Sequence, residues 1–170
     1  MRLRKVTIPT VAGAIVFASI TTAALAQTLV THRIPAALAL EAVGEAVASC
    51  AKQGYRVSAT VINPDGVRIA TLYGDGSGLH TMDAAYAKAY AAVSFAAPVL
   101  NLETSGALGE RFQQQPGFQP PAGMLFRAGG VVIKLRDEVI SAIGVGGAPT
   151  ANNDEVCARA GIDKIRGRIK

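Results

Sequence analysis

Apolar and polar positions alternate along the stretch that follows the first third of the chain. Val57, Ala59 and Val61 recur at every second residue, and the same alternation resumes at Val67. A period of two is typical of a strand with one buried face. The Asn-Pro-Asp-Gly sequence at 63–66 separates the two runs, and it favours a tight turn because proline presets φ and glycine permits positive φ. The pattern therefore predicts a β-hairpin.

The period changes after the glycine-rich loop Gly74–Gly78. Apolar residues then recur at helical spacing, at Met82, Tyr86, Ala89, Tyr90 and Val93. This spacing predicts a helix from Met82 to about Ala96, with Thr81 as its N-cap and Pro98 as its end.

The same patterns predict the remaining elements and the fold class. They are a helix at 36–53 ended by Gly54, a short helix at 99–108, a loop or flap at 111–123, a short strand at 124–126, two strands at 131–135 and 139–145, and a last helix at 155–160. Hairpins separated by helices favour an antiparallel sheet with helices packed on it. The predicted class is α/β (α+β), with a sheet of four to five strands.

The N-terminus has the three parts of a secretory signal peptide. Three basic residues among the first five precede the apolar run Val11–Ile20, and Ala24-Leu25-Ala26 forms a small-residue cleavage site. We therefore predict a signal peptide at 1–26, a single domain at 27–170 and a periplasmic or secreted protein. A retained membrane anchor is the alternative, although the apolar run lacks a charged stop after it.

Charge and aromatic content argue against nucleic acid as a partner. The formal net charge is +5, and loss of the three basic residues of the signal peptide would leave +2. The chain has four tyrosines, five phenylalanines and no tryptophan. No basic stripe with interleaved aromatic residues is visible, so we expect no nucleic-acid binding.

The two cysteines, Cys50 and Cys157, lie on the first and the last predicted helix. Export to an oxidising compartment favours a disulfide between them. The alternative is two buried free thiols.

The candidate chemistry lies at the start of the helix that follows the glycine-rich loop. A helix N-terminus disfavours a positive charge, so His80 is expected to be neutral there, in the form that ligates iron or zinc. Ala84 and Lys88 follow on the same helix face, with Lys88 about 12 Å along the axis. A flat apolar ligand could coordinate at His80 and direct an anionic edge toward Lys88. The alternative is an ordinary solvent-exposed loop histidine.

Several short segments, taken in order, resemble one known family. They are Val61–Gly66, Asp75-Gly76, Lys88-Ala89 with Phe95, Phe126–Gly130, Val139–Val145 and Asp154–Gly161. Over residues 38–165 the chain resembles the GlcG/HbpS family of haem-binding proteins. The resemblance implies a profilin-like fold, a homo-oligomer, and haem or another small ligand. It further implies that the partner of some exported members is a membrane sensor kinase, and that some members degrade haem.

The residues and the resemblance together predict an exported haem-binding protein that senses, stores or transports haem. His80 would ligate the iron and Lys88 would lie near the propionates, while Phe95, Met124 and Phe126 would supply apolar surroundings or belong to the core. Two alternatives stay open. One is an enzyme that processes a small molecule, such as haem itself, although no Ser/His/acid set or carboxylate pair stands out. The other is an assembly or sensor module without a ligand.

Overall fold

The computed structural model describes residues 28–170, of which residues 31–170 form one compact unit. The predicted signal peptide at 1–26 lies outside the described residues. The helices are α1 (Ala36–Ala51), α2 (Thr81–Ala91), α3 (Ala97–Leu100), α4 (Ser105–Phe112) and α5 (Ala151–Ile165), and the strands are β1 (Ser58–Ile62), β2 (Arg68–Tyr73), β3 (Gly130–Leu135) and β4 (Glu138–Gly146). Within the described part of the chain, no helix is long and apolar enough to span a bilayer.

The four strands form one antiparallel sheet in the order β2-β1-β4-β3. Two hairpins, β1–β2 and β3–β4, join through the central pair β1–β4. The predicted α/β class and the predicted β1–β2 hairpin are confirmed. In the hairpin turn, Gly66 has a φ of 80°, and Asn63 Oδ1 accepts hydrogen bonds from the backbone N–H groups of Asp65 and Val67.

Helices cover the sheet on both faces. Helices α1 and α5 pack on the face that holds Val57, Ala59 and Val61, while α2 packs on the face that holds Ile62 and Ala142. The central strand β1 is consequently buried along its whole length, whereas the edge strand β2 is mostly exposed. Alternation in the sequence therefore identified both strands of the hairpin but not which of them lies at the centre.

Helix α2 lies unusually close to the sheet because glycine occupies the contact points on β4. A Cβ added at Gly144 would lie 2.0 Å from the carbonyl oxygen of Ala85.

We expect Gly144→Ala to destabilise the protein by about 1–3 kcal/mol or more, since the backbone of α2 must shift. Gly44→Ala on α1 is the matched control: its Cβ would meet nothing within 4 Å, and helix propensity predicts a gain of about 1 kcal/mol. Urea denaturation of both variants measures the difference, and equal midpoints would contradict the close-contact argument.

The prediction that Pro98 ends the long helix is wrong. A π-helical turn at Ala92–Ala96 follows α2 directly, and the N–H of Ala97 bonds to the carbonyl of Ala92. Pro98 then falls in the first turn of α3, a position that tolerates the fixed φ of proline. The helical path ends instead at Asn101, whose φ of 53° is left-handed.

Three further predictions differ from the structure. The predicted helix at 99–108 is replaced by the end of α3 and the start of α4. The segment at 124–126 is no strand, because its Leu125 N–H donates to the carbonyl of Ala87 in α2 rather than to the sheet. Helix α5 is longer than the predicted 155–160, since Thr150 caps it by accepting the N–H of Asn153.

Candidate functional site

A groove of about 230 Å³ runs between α2 and the loop that follows β4. The lining residues are mostly small or apolar: His80, Ala84, Lys88, Leu125, Arg127, Gly146, Gly147, Ala148, Pro149, Ala151 and Asp154. The predicted set of His80, Ala84 and Lys88 therefore does line one groove, as their spacing of four residues along α2 requires.

His80 is exposed at the mouth of this groove. It occupies the N-cap position of α2 itself, with φ −76° and ψ −11°, so the prediction that Thr81 is the N-cap is wrong by one residue. Thr81 is the first helical residue and is buried, and its hydroxyl donates to the carbonyl of Gly78 at 2.7 Å. The imidazole of His80 lies over Gly78, where an added Cβ would come within 2.8 Å of Cε1. Glycine at 78 thus leaves the space that the imidazole occupies.

Lys88 has a different environment from the one expected at an open ligand site. Its side chain is 5% exposed and its Nζ lies 2.6 Å from Oδ2 of Asp154, which is 4% exposed. The same Nζ donates to the carbonyl of Val145 at 3.1 Å. Burial raises the pKa of the Asp154 carboxyl, and the Lys88 ammonium acts in the opposite direction. Lys88 therefore joins α2 to β4 and α5, and its charge is already balanced.

Arg127 is the exposed cation of the groove, and the sequence patterns did not single it out as a site residue. The segment from Met124 to Arg127 runs alongside α2, where the N–H of Leu125 donates to the carbonyl of Ala87. Leu125 and Arg127 line the groove, while Phe126 belongs to a separate apolar cluster. The run Met124-Leu125-Phe126 is apolar at every position, so the sequence carries no periodic signal for the side on which Arg127 lies.

The structure does not bring Phe95, Met124 and Phe126 to the groove. They belong to an aromatic cluster with Phe112 and Phe118, whose rings stack at 4.1 Å between centroids. Phe126 lies at the centre of this cluster, 5.6–5.7 Å from three other phenylalanine rings. The cluster anchors the segment at 113–129, which includes most of the stretch at 111–123 that the sequence predicts to be a loop or flap.

The predicted disulfide between Cys50 and Cys157 is confirmed. It joins α1 to α5, with a Cα–Cα distance of 5.6 Å across 107 residues of sequence separation. Both cysteines are fully buried, so the crosslink lies inside the main core rather than at the groove.

Solved structures of similar proteins share this fold. HbpS is 34% identical, with 81% of this chain and 92% of that chain covered and a TM-score of 0.70. A double mutant of Streptomyces reticuli HbpS is 32% identical, with 91% and 97% covered and a TM-score of 0.70. A PduOC:haem complex is 16% identical, with 78% and 95% covered and a TM-score of 0.65, which shows likeness of fold alone.

The comparison with protein families agrees with the structural ones. No protein with a curated description shows significant similarity to the chain. The model of the family described as "Haem degrading protein HbpS-like" matches residues 34–163. The chain therefore belongs to the HbpS-like family.

Proposed function

We propose that the protein is an exported haem-binding protein in which His80 ligates the iron at the groove beside α2. The observation that carries the proposal is the exposed imidazole of His80 at the mouth of a groove whose wall includes Ala84 and backbone of Gly146 and Gly147. Small residues along α2 and the loop after β4 leave a wall without bulky side chains. A flat ring can lie against such a wall with its metal directed at the imidazole.

The donor set of the groove suits a haem iron better than a free metal ion. Among residues 28–170, no group of three or more His, Cys, Asp or Glu side chains is arranged to hold an ion. A porphyrin supplies four nitrogen ligands of its own, so one histidine is enough to hold its iron. Haem, when bound, would supply the redox chemistry, and the protein would supply the axial ligand and the orientation.

The propionates are proposed to lie toward Arg127. Guanidinium binds carboxylates through a planar pair of donors, and Arg127 is the exposed basic residue of the groove. Lys88 would act indirectly, by holding the wall through its pair with Asp154. This assignment replaces the expectation that the Lys88 ammonium meets the propionates directly.

The proposals of export and of protein partners rest on the sequence and the family resemblance, and the geometry of the groove does not bear on them. The Cys50–Cys157 disulfide is compatible with an oxidising compartment. Homo-oligomer formation and a membrane sensor kinase as partner stay predictions of the resemblance.

Haem degradation is a second candidate, favoured by the description of the matched family. In that case the bound haem would be substrate as well as cofactor, and the groove residues would orient it. Incubation of the haem-loaded protein with ascorbate, followed by product analysis, separates the two candidates. Intact haem after many hours would favour binding alone.

We expect His80→Ala to abolish or shift the Soret band of bound haem and to weaken haemin binding by at least about tenfold, or about 1.4 kcal/mol. His32→Ala is the matched control, since His32 lies in the lead-in to α1 and its Nδ1 is 2.6 Å from Glu138 Oε2. Arg127→Ala is expected to weaken binding with the Soret band unchanged. Haemin titration followed by visible spectroscopy measures all three, with circular dichroism to check the fold. An unaltered spectrum and affinity in His80→Ala would place the iron elsewhere.

A further inference from the structure

The β3 edge of the sheet already accepts one short extended segment. The backbone N–H of Val132 donates to the carbonyl of Glu103 at 3.0 Å, and Thr104 forms an antiparallel bridge with Val131. The N–H of Gly130 is taken by the hydroxyl of Ser105 at 2.9 Å. The first half of β3 is therefore paired on its outer side, away from β4.

The second half of β3 is open on that side. Backbone groups of an antiparallel strand point alternately to its two neighbours. Since Val132 points outward to Glu103, Lys134 also points outward, with its N–H and its C=O. Among residues 28–170, no backbone group outside the sheet bonds to Lys134. A further strand could therefore continue where the Glu103–Thr104 segment leaves the edge.

A cleft of about 420 Å³ lies between this open edge and α5. Its lining includes the apolar side chains of Leu135, Ile162 and Ile169. Its ionisable side chains are five basic residues and one acidic residue, namely Lys134, Arg136, Arg159, Arg166 and Lys170 against Glu103. Lys134, Arg159 and Arg166 pair with Glu103, Glu155 and Asp163, so Arg136 and Lys170 are the cations of this rim for which the described residues supply no carboxylate. Side chains of an added strand alternate, so those on one face would enter the cleft and meet this basic rim.

Arg136 has a strained backbone and an unbalanced charge. Its φ of 56° is left-handed, a conformation that a residue other than glycine adopts at a cost. Within the described chain, no carboxylate pairs with it, whereas Arg166 shares an exposed pair with Asp163. The β3–β4 turn thus places a guanidinium at the rim of the cleft, at a position whose left-handed backbone glycine would adopt at lower cost.

A second copy of this chain does not complement the cleft. The other edge strand, β2, has the sequence RIATLY, with one basic residue and no acidic residue. Pairing of two β3 edges would bring the basic residues of both copies together, and like charges directly opposite each other destabilise a sheet. The charge of the cleft favours an acidic segment of a different protein.

We propose that the β3 edge is a docking site for an extended acidic segment of a partner protein, which adds to the sheet as a fifth strand. Backbone hydrogen bonds to Lys134 would supply the pairing. On the face of the strand that enters the cleft, apolar side chains would contact Leu135 and Ile162, and acidic side chains would meet Arg136 and Lys170. The site is on the side of the molecule formed by β3 and α5 and shares no lining residue with the groove at His80.

The test uses the purified protein and a blocked, fluorescein-labelled octapeptide in which one face of the strand carries two valines followed by two glutamates and the other face carries threonine. We expect binding that weakens as salt rises, with ¹H–¹⁵N shift changes confined to residues 132–136 and the C-terminal part of α5. The matching peptide with lysine in place of glutamate should not bind. Arg136→Gly removes the guanidinium but suits the left-handed backbone, so it should weaken binding by about tenfold without lowering the unfolding temperature. Arg68→Gly on the β2 edge, as the control, should leave the affinity unchanged.

Four results of the peptide experiments would overturn the proposal. They are absence of binding, equal binding of the lysine peptide, shift changes at β2, and unchanged affinity in Arg136→Gly. Self-association of Arg136→Gly in sedimentation experiments without peptide binding would show that the basic residues only protect the edge from pairing with other copies. Binding to anionic phosphatidylserine vesicles without peptide binding would assign the basic rim to a membrane surface, and it would overturn the proposal too.

Discussion

Lys88→Ala is expected to lower the free energy of unfolding by about 3–5 kcal/mol, because it leaves the Asp154 carboxylate buried without its partner. The two side chains are 5% and 4% exposed and their charged atoms lie 2.6 Å apart. Domains of this size are stable by only about 5–15 kcal/mol, so the loss is a large share of the total. Urea denaturation followed by circular dichroism measures it.

Two controls test whether the loss of stability comes from an unpaired buried charge rather than from the loss of any ion pair. Arg33→Ala removes an exposed pair with Asp65, whose side chains are 40% and 61% exposed, and should cost no more than about 1 kcal/mol. The double variant Lys88→Met/Asp154→Asn removes both charges, while an amide oxygen at 154 can still accept the N–H of Ala148, as Oδ1 does at 2.9 Å. We expect the double variant to be more stable than Lys88→Ala. A double variant no better than the single one would contradict the role of the unpaired charge.

The Lys88→Ala defect should depend on pH. Burial raises the pKa of Asp154 above its ordinary 3.8, and Lys88 opposes the rise, so loss of Lys88 raises the folded-state pKa further. A group whose pKa is higher in the folded than in the unfolded state binds more protons when folded, and stability then falls as pH rises. The deficit relative to wild type is therefore expected to be smaller near about pH 4 than at pH 7. A deficit that grows on acidification would contradict the assignment.

Loss of the Cys50–Cys157 disulfide is the second large effect. The crosslink spans 107 residues, and the chain-entropy model assigns about 4–5 kcal/mol to a loop of that length. We expect Cys50→Ala/Cys157→Ala to lose stability of this order, since both sites are fully buried and alanine leaves no unpaired polar group. Guanidinium denaturation of the oxidised protein and the double variant measures the loss.

Wild-type protein under reducing conditions keeps both sulfur atoms but lacks the crosslink. It therefore separates the effect of the lost disulfide from the effect of the lost packing of the sulfur atoms. Reduced wild type and the double variant should have similar stabilities, both well below the oxidised protein. Two free thiols in denatured, unreduced wild type would contradict the disulfide. A double variant within about 1 kcal/mol of the oxidised protein would contradict its energetic role.

The elements with strong periodicity were predictable from the sequence. The alternation from Val57 and the turn at Asn63–Gly66 identified the first hairpin, because one buried face and one tight turn leave a local pattern. Helical spacing likewise brought His80, Ala84 and Lys88 to one groove. Export, haem ligation by His80 and the oligomer stay predictions.

Partners far apart in sequence were not predictable. The partner of Lys88 is Asp154, 66 residues away, and local periodicity does not say which helix end a side chain will meet. Phe95, Met124 and Phe126 were assigned to pocket or core, because an apolar residue has the same sequence signature in either place. Only the packing of the loop at 113–129 in the structure shows that these three residues belong to the core.

The sequence by itself determined the class of the fold, the first hairpin, the helix face at His80 and the pair of cysteines available for a crosslink. Each of these depends on neighbours within a few residues or on residue type. The tertiary structure alone decided that Lys88 is balanced by Asp154, that Arg127 is the exposed cation of the groove, and that β3 is an open edge with a basic cleft beside it. These depend on burial and on strand order, which arise when distant segments pack together and exclude water.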